Sequence, residues 1–271
     1  MNNFHQVVCW KPYKNVLHSP EVGKPVLIKK KKVRSHTEDR LLALVLATTA
    51  GILNAMALGA FGFFPSHMTG NTSQISQEVT TSDLHTMLFL MALIIAFVLG
   101  CTVARLAVVV GIRHKLRTIF CLIILAEGAA LTAASIFEIV FYRPSFNGEV
   151  LLMLGFLMGI HNATSTQLSN GRVRSTHITG TLTDAGIALG SWIFAHTSHA
   201  VHLETDDRRF FQKVLHTHLT TVFSFLSGCI AGLLLFKVYG FNAMVGLGIF
   251  LMLVALTAIA ITVQRTRRSL Y

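Results

Sequence analysis

The sequence predicts an all-α membrane protein of six transmembrane helices, arranged as two inverted three-helix repeats with re-entrant or interfacial segments after the first and fourth helices. Three observations predict it. The chain is 52% apolar and 13% charged, with mean hydropathy +0.59, and several of its apolar runs approach or exceed the roughly 18 residues that mark a spanning helix. Its basic residues sit in short blocks between and beyond those runs; with the N-terminus in the cytoplasm, only Arg143 and Lys237 of 23 Lys and Arg fall outside. A polar motif also occurs twice, as Ser66-His67-Met68-Thr69-Gly70-Asn71 after the first run and Thr176-His177-Ile178-Thr179-Gly180-Thr181 after the fourth.

Residues 1–38 lack helical periodicity and carry Lys29, Lys30, Lys31 and Lys32. No apolar core or small-residue cleavage site of a secretory leader follows, so the segment reads as a retained, disordered basic tail in the cytoplasm. Its lysines serve either as a solvated topology signal or as a contact for anionic lipid, at about 1 kcal/mol per residue near the surface. The net charge of +11 is thereby explained by topology, and no nucleic-acid partner is expected.

Spans are expected at 41–64, 86–110, 117–141, 149–168, 214–236 and 241–263, because about 20 residues at 1.5 Å each cover the hydrocarbon core. They divide the chain into a first repeat (39–145), a second repeat (146–265) and a short cytoplasmic tail (266–271). Residues 184–200 are only partly apolar and too short to cross. Counting them as a seventh span would put Arg265, Arg267 and Arg268 outside, so a re-entrant or interfacial helix is expected there.

The repeat extends past the Thr-Gly motif. A Gly-x-x-Asn ending in Asn54 or Asn162 precedes each copy, and Phe97-Val98-Leu99-Gly100-Cys101 matches Phe225-Leu226-Ser227-Gly228-Cys229. Units with an odd number of spans enter the membrane from opposite sides, which gives the inverted arrangement of many secondary transporters and some channels. Thr-Gly is expected to interrupt a helix, with a hydroxyl or Asn71 capping the next one. The alternatives are a solute site at the resulting helix ends or a pair of helix caps in buried loops. On the first reading the binding residues are Asn54, His67, Thr69, Gly70, Asn71, Asn162, His177, Thr179, Gly180 and Thr181.

These motifs, with Gly-Ile-His-Asn-Ala-Thr in the second half, resemble the YoaK-like membrane proteins, domain-of-unknown-function family 1275. The resemblance covers about residues 38–265. It implies a small bacterial inner-membrane protein of about six spans, with no established substrate. The family often carries aspartate where this chain has Asn54, which weakens a proton-coupling role for the first motif.

Glu127 lies near the centre of the third span, where a carboxylate costs about 2.5–3.5 kcal/mol and must be paired or protonated. It is the expected coupling residue, the alternative being a structural hydrogen bond between helices, with Asp184, four positions after Gly180, as a second that caps or charge-balances its helix. His67 and His177 either relay protons or hold fixed hydrogen bonds. Glu138 is expected near the outer end and wet, and Arg105 snorkelling at the cytoplasmic end. His196, His199 and His202 recur every three residues, but no cysteine or near carboxylate completes a ligand set, so no metal is expected. Cys101, Cys121 and Cys229 lie in apolar runs and read as small hydrophobes. No nucleotide or other cofactor motif is present. The leading function is a transporter or channel for a small solute. A non-catalytic scaffold and, less favoured, an intramembrane hydrolase using Ser66 or Ser175 are the alternatives; no Gly-x-Ser-x-Gly elbow supports the last.

Overall fold

A computed structural model describes residues 36–141, 147–197 and 205–268. The lysine run, Arg143, His199, His202 and the last three residues lie outside these segments, as does the side chain of His196. The described residues form eight helices: α1 (His36–Phe61), α2 (Met68–Thr81), α3 (Leu84–Arg113), α4 (Ile119–Phe141), α5 (Asn147–Leu168), α6 (Ile178–Thr197), α7 (Thr205–Tyr239) and α8 (Phe241–Arg268). No strand occurs among them. Five stretches are long and apolar enough to cross a bilayer: Ala43–Phe61, Leu84–Arg113, Ile119–Phe141, Arg209–Tyr239 and Phe241–Gln264. The protein is an α-helical, multi-pass membrane protein.

The expected fourth span is helix α5, and its composition has a structural reason. Its 22 residues include His161, Asn162, Thr164, Ser165 and Thr166, too polar for lipid contact. They are tolerated because α5 is central: Leu151, Leu154, Met158, His161, Thr164 and Ser165 are all buried, so its polar groups meet protein. The outer surface is apolar instead. Along α3, Leu88, Met91, Ile95, Val98, Leu99 and Leu106 are exposed, and along α7, Phe223, Leu226, Ile230 and Leu234, at the spacing of one lipid-facing helix stripe.

Some expected boundaries shift. The first span stops at Phe61 rather than residue 64, because Gly62 turns to φ +74° and its N–H closes on the Leu58 carbonyl at 2.9 Å. Helix α7 begins at Thr205, well before residue 214, with polar first turns. As far as Thr197, the segment expected at 184–200 belongs to a longer helix that starts at Ile178. At the start of α3, Asp83 accepts from the Thr86 N–H (3.1 Å) and hydroxyl (2.8 Å). These bonds hold its carboxyl below the ordinary value.

Three helix pairs make the most extensive contacts, α1 with α7, α3 with α5 and α4 with α8, while α2 lies on α3 and α6 on α7. Glycines bring the paired backbones together. A Cβ at Gly51 would fall on the Phe225 carbonyl oxygen, and one at Gly228 on that of Thr48; in the other pair, Gly100 meets Phe156 and Gly159 meets Phe97. Close backbone approach is how helices associate in lipid, which offers no hydrophobic drive. Farther along, Gly59 meets Leu233 and Phe236, so α1 and α7 run in parallel; Gly155 against Leu93 makes α3 and α5 parallel as well. Gly128 and Gly248 face each other's carbonyl oxygens at 2.7 and 2.8 Å from ideal Cβ positions, locking α4 to α8. Leu53, Met56, Leu131, Leu154, Met158 and Leu251 fill the core between the pairs.

Candidate functional site

The linker between α1 and α2 turns at Gly62, and that between α5 and α6 turns at Asn170 and Gly171, all three with positive φ. Each linker then returns to the asparagine of the preceding helix. Asn54 Oδ1 accepts from both the N–H (3.2 Å) and the hydroxyl (2.8 Å) of Ser66, and Asn162 Oδ1 from the N–H of Thr176 (3.5 Å). The two asparagines are thus anchors for the residue just before each motif histidine. In the second linker, Ser169 Oγ also accepts from the Val173 N–H (2.8 Å), and Ser175 Oγ lies 3.1 Å from Ser165 Oγ.

After the histidine each motif starts a helix, and here the expectation is corrected. Gly70 and Gly180 do not break a helix; they lie in the first turns of α2 and α6, and the breaks are upstream at Gly62, Asn170 and Gly171. The motif glycine has a steric role: a Cβ at Gly70 would collide with the His67 ring and one at Gly180 with the His177 ring. The missing side chain leaves room for the imidazole edge at the helix start. Asn71 is not the cap either. His67 occupies the cap position without a side-chain cap bond, and Asn71 is buried in the first turn. Thr181 is buried too, its hydroxyl donating to the His177 carbonyl at 2.9 Å.

The two helix starts meet at one cavity of about 800 Å3. Of the residues expected to bind solute, Asn54, His67, Thr69, Asn162, His177 and Thr179 line it; Gly70, Asn71, Gly180 and Thr181 do not. Phe97 and Phe225, near the midpoints of α3 and of the apolar stretch of α7, also line it. So do Phe64 and Arg174, each three residues before its motif histidine. The sequence alone does not place these four at the site. The repeated Phe-x-x-Gly-Cys is the signal that points to the first two, whereas Arg174 reads in sequence as a cytoplasmic loop charge and lines the cavity instead. Among the described residues, no acidic one lines it.

Glu127 and Asp184 are elsewhere. Glu127 is buried and its Oε1 lies 2.7 Å from His161 Nδ1, the side chains being 1% and 2% exposed. His161 Nε2 lies 2.9 Å from the Leu46 carbonyl. His161 is the sequence neighbour of the cavity-lining Asn162, but neither it nor Glu127 is among the residues that line the cavity. Asp184 is exposed in the second turn of α6, beyond reach of a cap, and the first turn has no acid. Glu138, expected wet, is 2% exposed, with Ser135, Val150, Leu154 and Met244 around it. Arg105 donates to Gln167 Oε1 at 2.9 Å, at the far end of α5.

Residues 42–257 match a family model described as "Protein of unknown function (DUF1275)". No curated protein and no solved structure matches the chain.

Proposed function

The chain belongs to the DUF1275 family, and from that premise we propose that it is a transporter or channel for a small solute, bound in the cavity between the two motifs. The single observation that carries this reading is that both copies of the repeated motif, distant in sequence, line one cavity at half-height of the longest helices. A scaffold has no need of such a void, because polar groups at membrane depth are tolerated in tightly packed protein as well as beside a cavity.

The architecture proposed with it has six spans in two inverted repeats, α1–α4 and α5–α8. Supporting this, the pairing of α1 with α7 mirrors that of α5 with α3, and α4 and α8 meet glycine to glycine. Because α1 and α7 run in parallel, α2 and α6 either both cross the membrane or both turn back. With only 14 residues, among them Thr69, Asn71, Thr72, Ser73 and Gln74, α2 cannot cross. Both therefore turn back, their N-termini directed at the cavity from opposite sides. Both chain termini then lie in the cytoplasm, and the inner membrane is the proposed location.

The role is non-enzymatic, with no cofactor. Against a hydrolase, the Ser66 hydroxyl is engaged by Asn54 and Ser175 by Ser165, so neither serine is hydrogen-bonded to a histidine base. The bilayer is the partner, with anionic lipid proposed for the lysine run. Glu127 remains the proposed coupling residue through His161.

Uptake by the purified full-length protein in liposomes tests the reading: a screen of small solutes should find one whose uptake is saturable and is lost on Asn54→Ala or Asn162→Ala. A chain that accumulates none above empty liposomes would favour the scaffold.

A further inference from the structure

The two halves of the cavity differ at one pair of corresponding positions. Three residues before His67 stands Phe64, its ring edge-on to the imidazole at 6.2 Å between centroids; three before His177 stands Arg174. Both are exposed. Among the described residues the cavity is thereby polarised, with an aromatic wall of Phe64, Phe97 and Phe225 and one guanidinium, that of Arg174. No carboxylate among the described residues pairs with Arg174, and buried Glu127 is engaged by His161. Nor does any acid occupy the first turn of α2 or α6, so the partial positive charge at both helix starts is uncompensated.

We propose that the cavity takes a small organic monoanion, a carboxylate or sulfonate on an apolar body. This deepens, and rests on, the solute-binding reading above. Arg174 receives the acid group as a two-pronged donor, assisted by the first-turn N–H groups of α6. The phenylalanines receive the body. An inorganic anion is disfavoured by size, since about 800 Å3 lies in the range of sites that enclose organic ligands. A cation is disfavoured because no described residue lining the cavity is acidic.

The test is calorimetric titration of the full-length protein in detergent with benzoate, benzenesulfonate, benzamide, benzylamine and chloride. Both organic anions should bind, and the neutral amide and the amine at least about tenfold more weakly, the loss of one charged hydrogen-bonded contact. Arg174→Gln should erase that preference, Arg174→Lys should retain part of it, and Phe64→Ala should weaken benzoate. Arg113→Gln, at the end of α3, should change nothing. Equal binding of benzamide, tighter binding of benzylamine, chloride binding without either organic acid, or no binding of either acid would each overturn the assignment. Uptake of benzenesulfonate, which stays charged, separates this from the transport reading: binding without uptake leaves the anion site standing and removes transport, whereas uptake of benzylamine alone keeps transport and removes the anion site.

Discussion

His161 Nδ1 and Glu127 Oε1 meet at 2.7 Å inside the bundle, joining α5 to α4. The other imidazole nitrogen lies 2.9 Å from the Leu46 carbonyl, which only accepts, so Nε2 carries a proton. The contact at Nδ1 then holds one further proton, on the histidine or on the glutamate, and the pair is neutral either way. The contact relieves the cost of a lone buried charge.

The first prediction follows from the repeat. Leu53 precedes Asn54 as His161 precedes Asn162, and Leu247 precedes Gly248 as Glu127 precedes Gly128; both leucines belong to the core. His161 and Glu127 thus stand, in the sequence pattern, where the matching stretches have two core leucines. Glu127→Leu alone should cost about 1–3 kcal/mol by leaving His161 Nδ1 without a partner, while Glu127→Leu with His161→Leu should recover most of it. Thermal unfolding of the single and double variants in detergent measures both. Proton-dependent uptake should be absent in the double variant and in Glu127→Gln even where stability is normal.

The helices were legible from apolar runs, and the residues lining the candidate cavity in part from the repeated motif, because a polar motif is costly at membrane depth. Three features were not legible. Arg174 looks like a loop charge until the linker after α5 is seen to fold back onto Asn162. His161 is inconspicuous in sequence; its role depends on Glu127, which reaches it only through the contact of α4 with α5. Glu138 reads as wet because span counting fixes depth and not facing, and the helix turns it inward beside Ser135.

The linker anchors give a second prediction. Asn54→Ala removes the acceptor for two donors of Ser66 and should cost about 1–3 kcal/mol. Asn162→Ala should cost less, its bond to Thr176 being long at 3.5 Å. Hydrogen exchange should accelerate at residues 64–67 in the first variant and at 174–177 in the second, and a change confined to α1 or α5 would contradict the anchoring role.

Topology is tested at the exposed turns. In a variant lacking the four native cysteines, Ser82→Cys should react with an impermeant maleimide added outside cells, and Asn170→Cys only after permeabilisation. Both positions are exposed, so accessibility and not burial decides the result. Labelling of Asn170→Cys in intact cells would refute the six-span arrangement.

Asp83 carries a pH dependence of known sign. Its carboxyl is held below the ordinary value of 3.8 by the Thr86 bonds, so its stabilisation is complete above that value and is lost as pH falls through the lower folded one. Exchange at the first turn of α3 should therefore rise on acidification below about pH 4. In Asp83→Asn, which still caps but does not titrate, this rise should be absent.

The motif glycine supplies the last prediction, because its role differs from the conformational one that the sequence suggests. Gly70→Ala places a methyl group where the His67 ring lies, and Gly180→Ala does the same at His177. Neither glycine has a positive φ, so alanine suits the backbone and even favours the helix. The clash should dominate, costing about 1–3 kcal/mol unless the ring swings away into the cavity. Removing the ring should remove the clash: Gly70→Ala with His67→Ala should be more stable than Gly70→Ala alone. Were the glycine needed for its backbone freedom, the second substitution would give no rescue, and the thermal midpoints of the three variants distinguish the two cases.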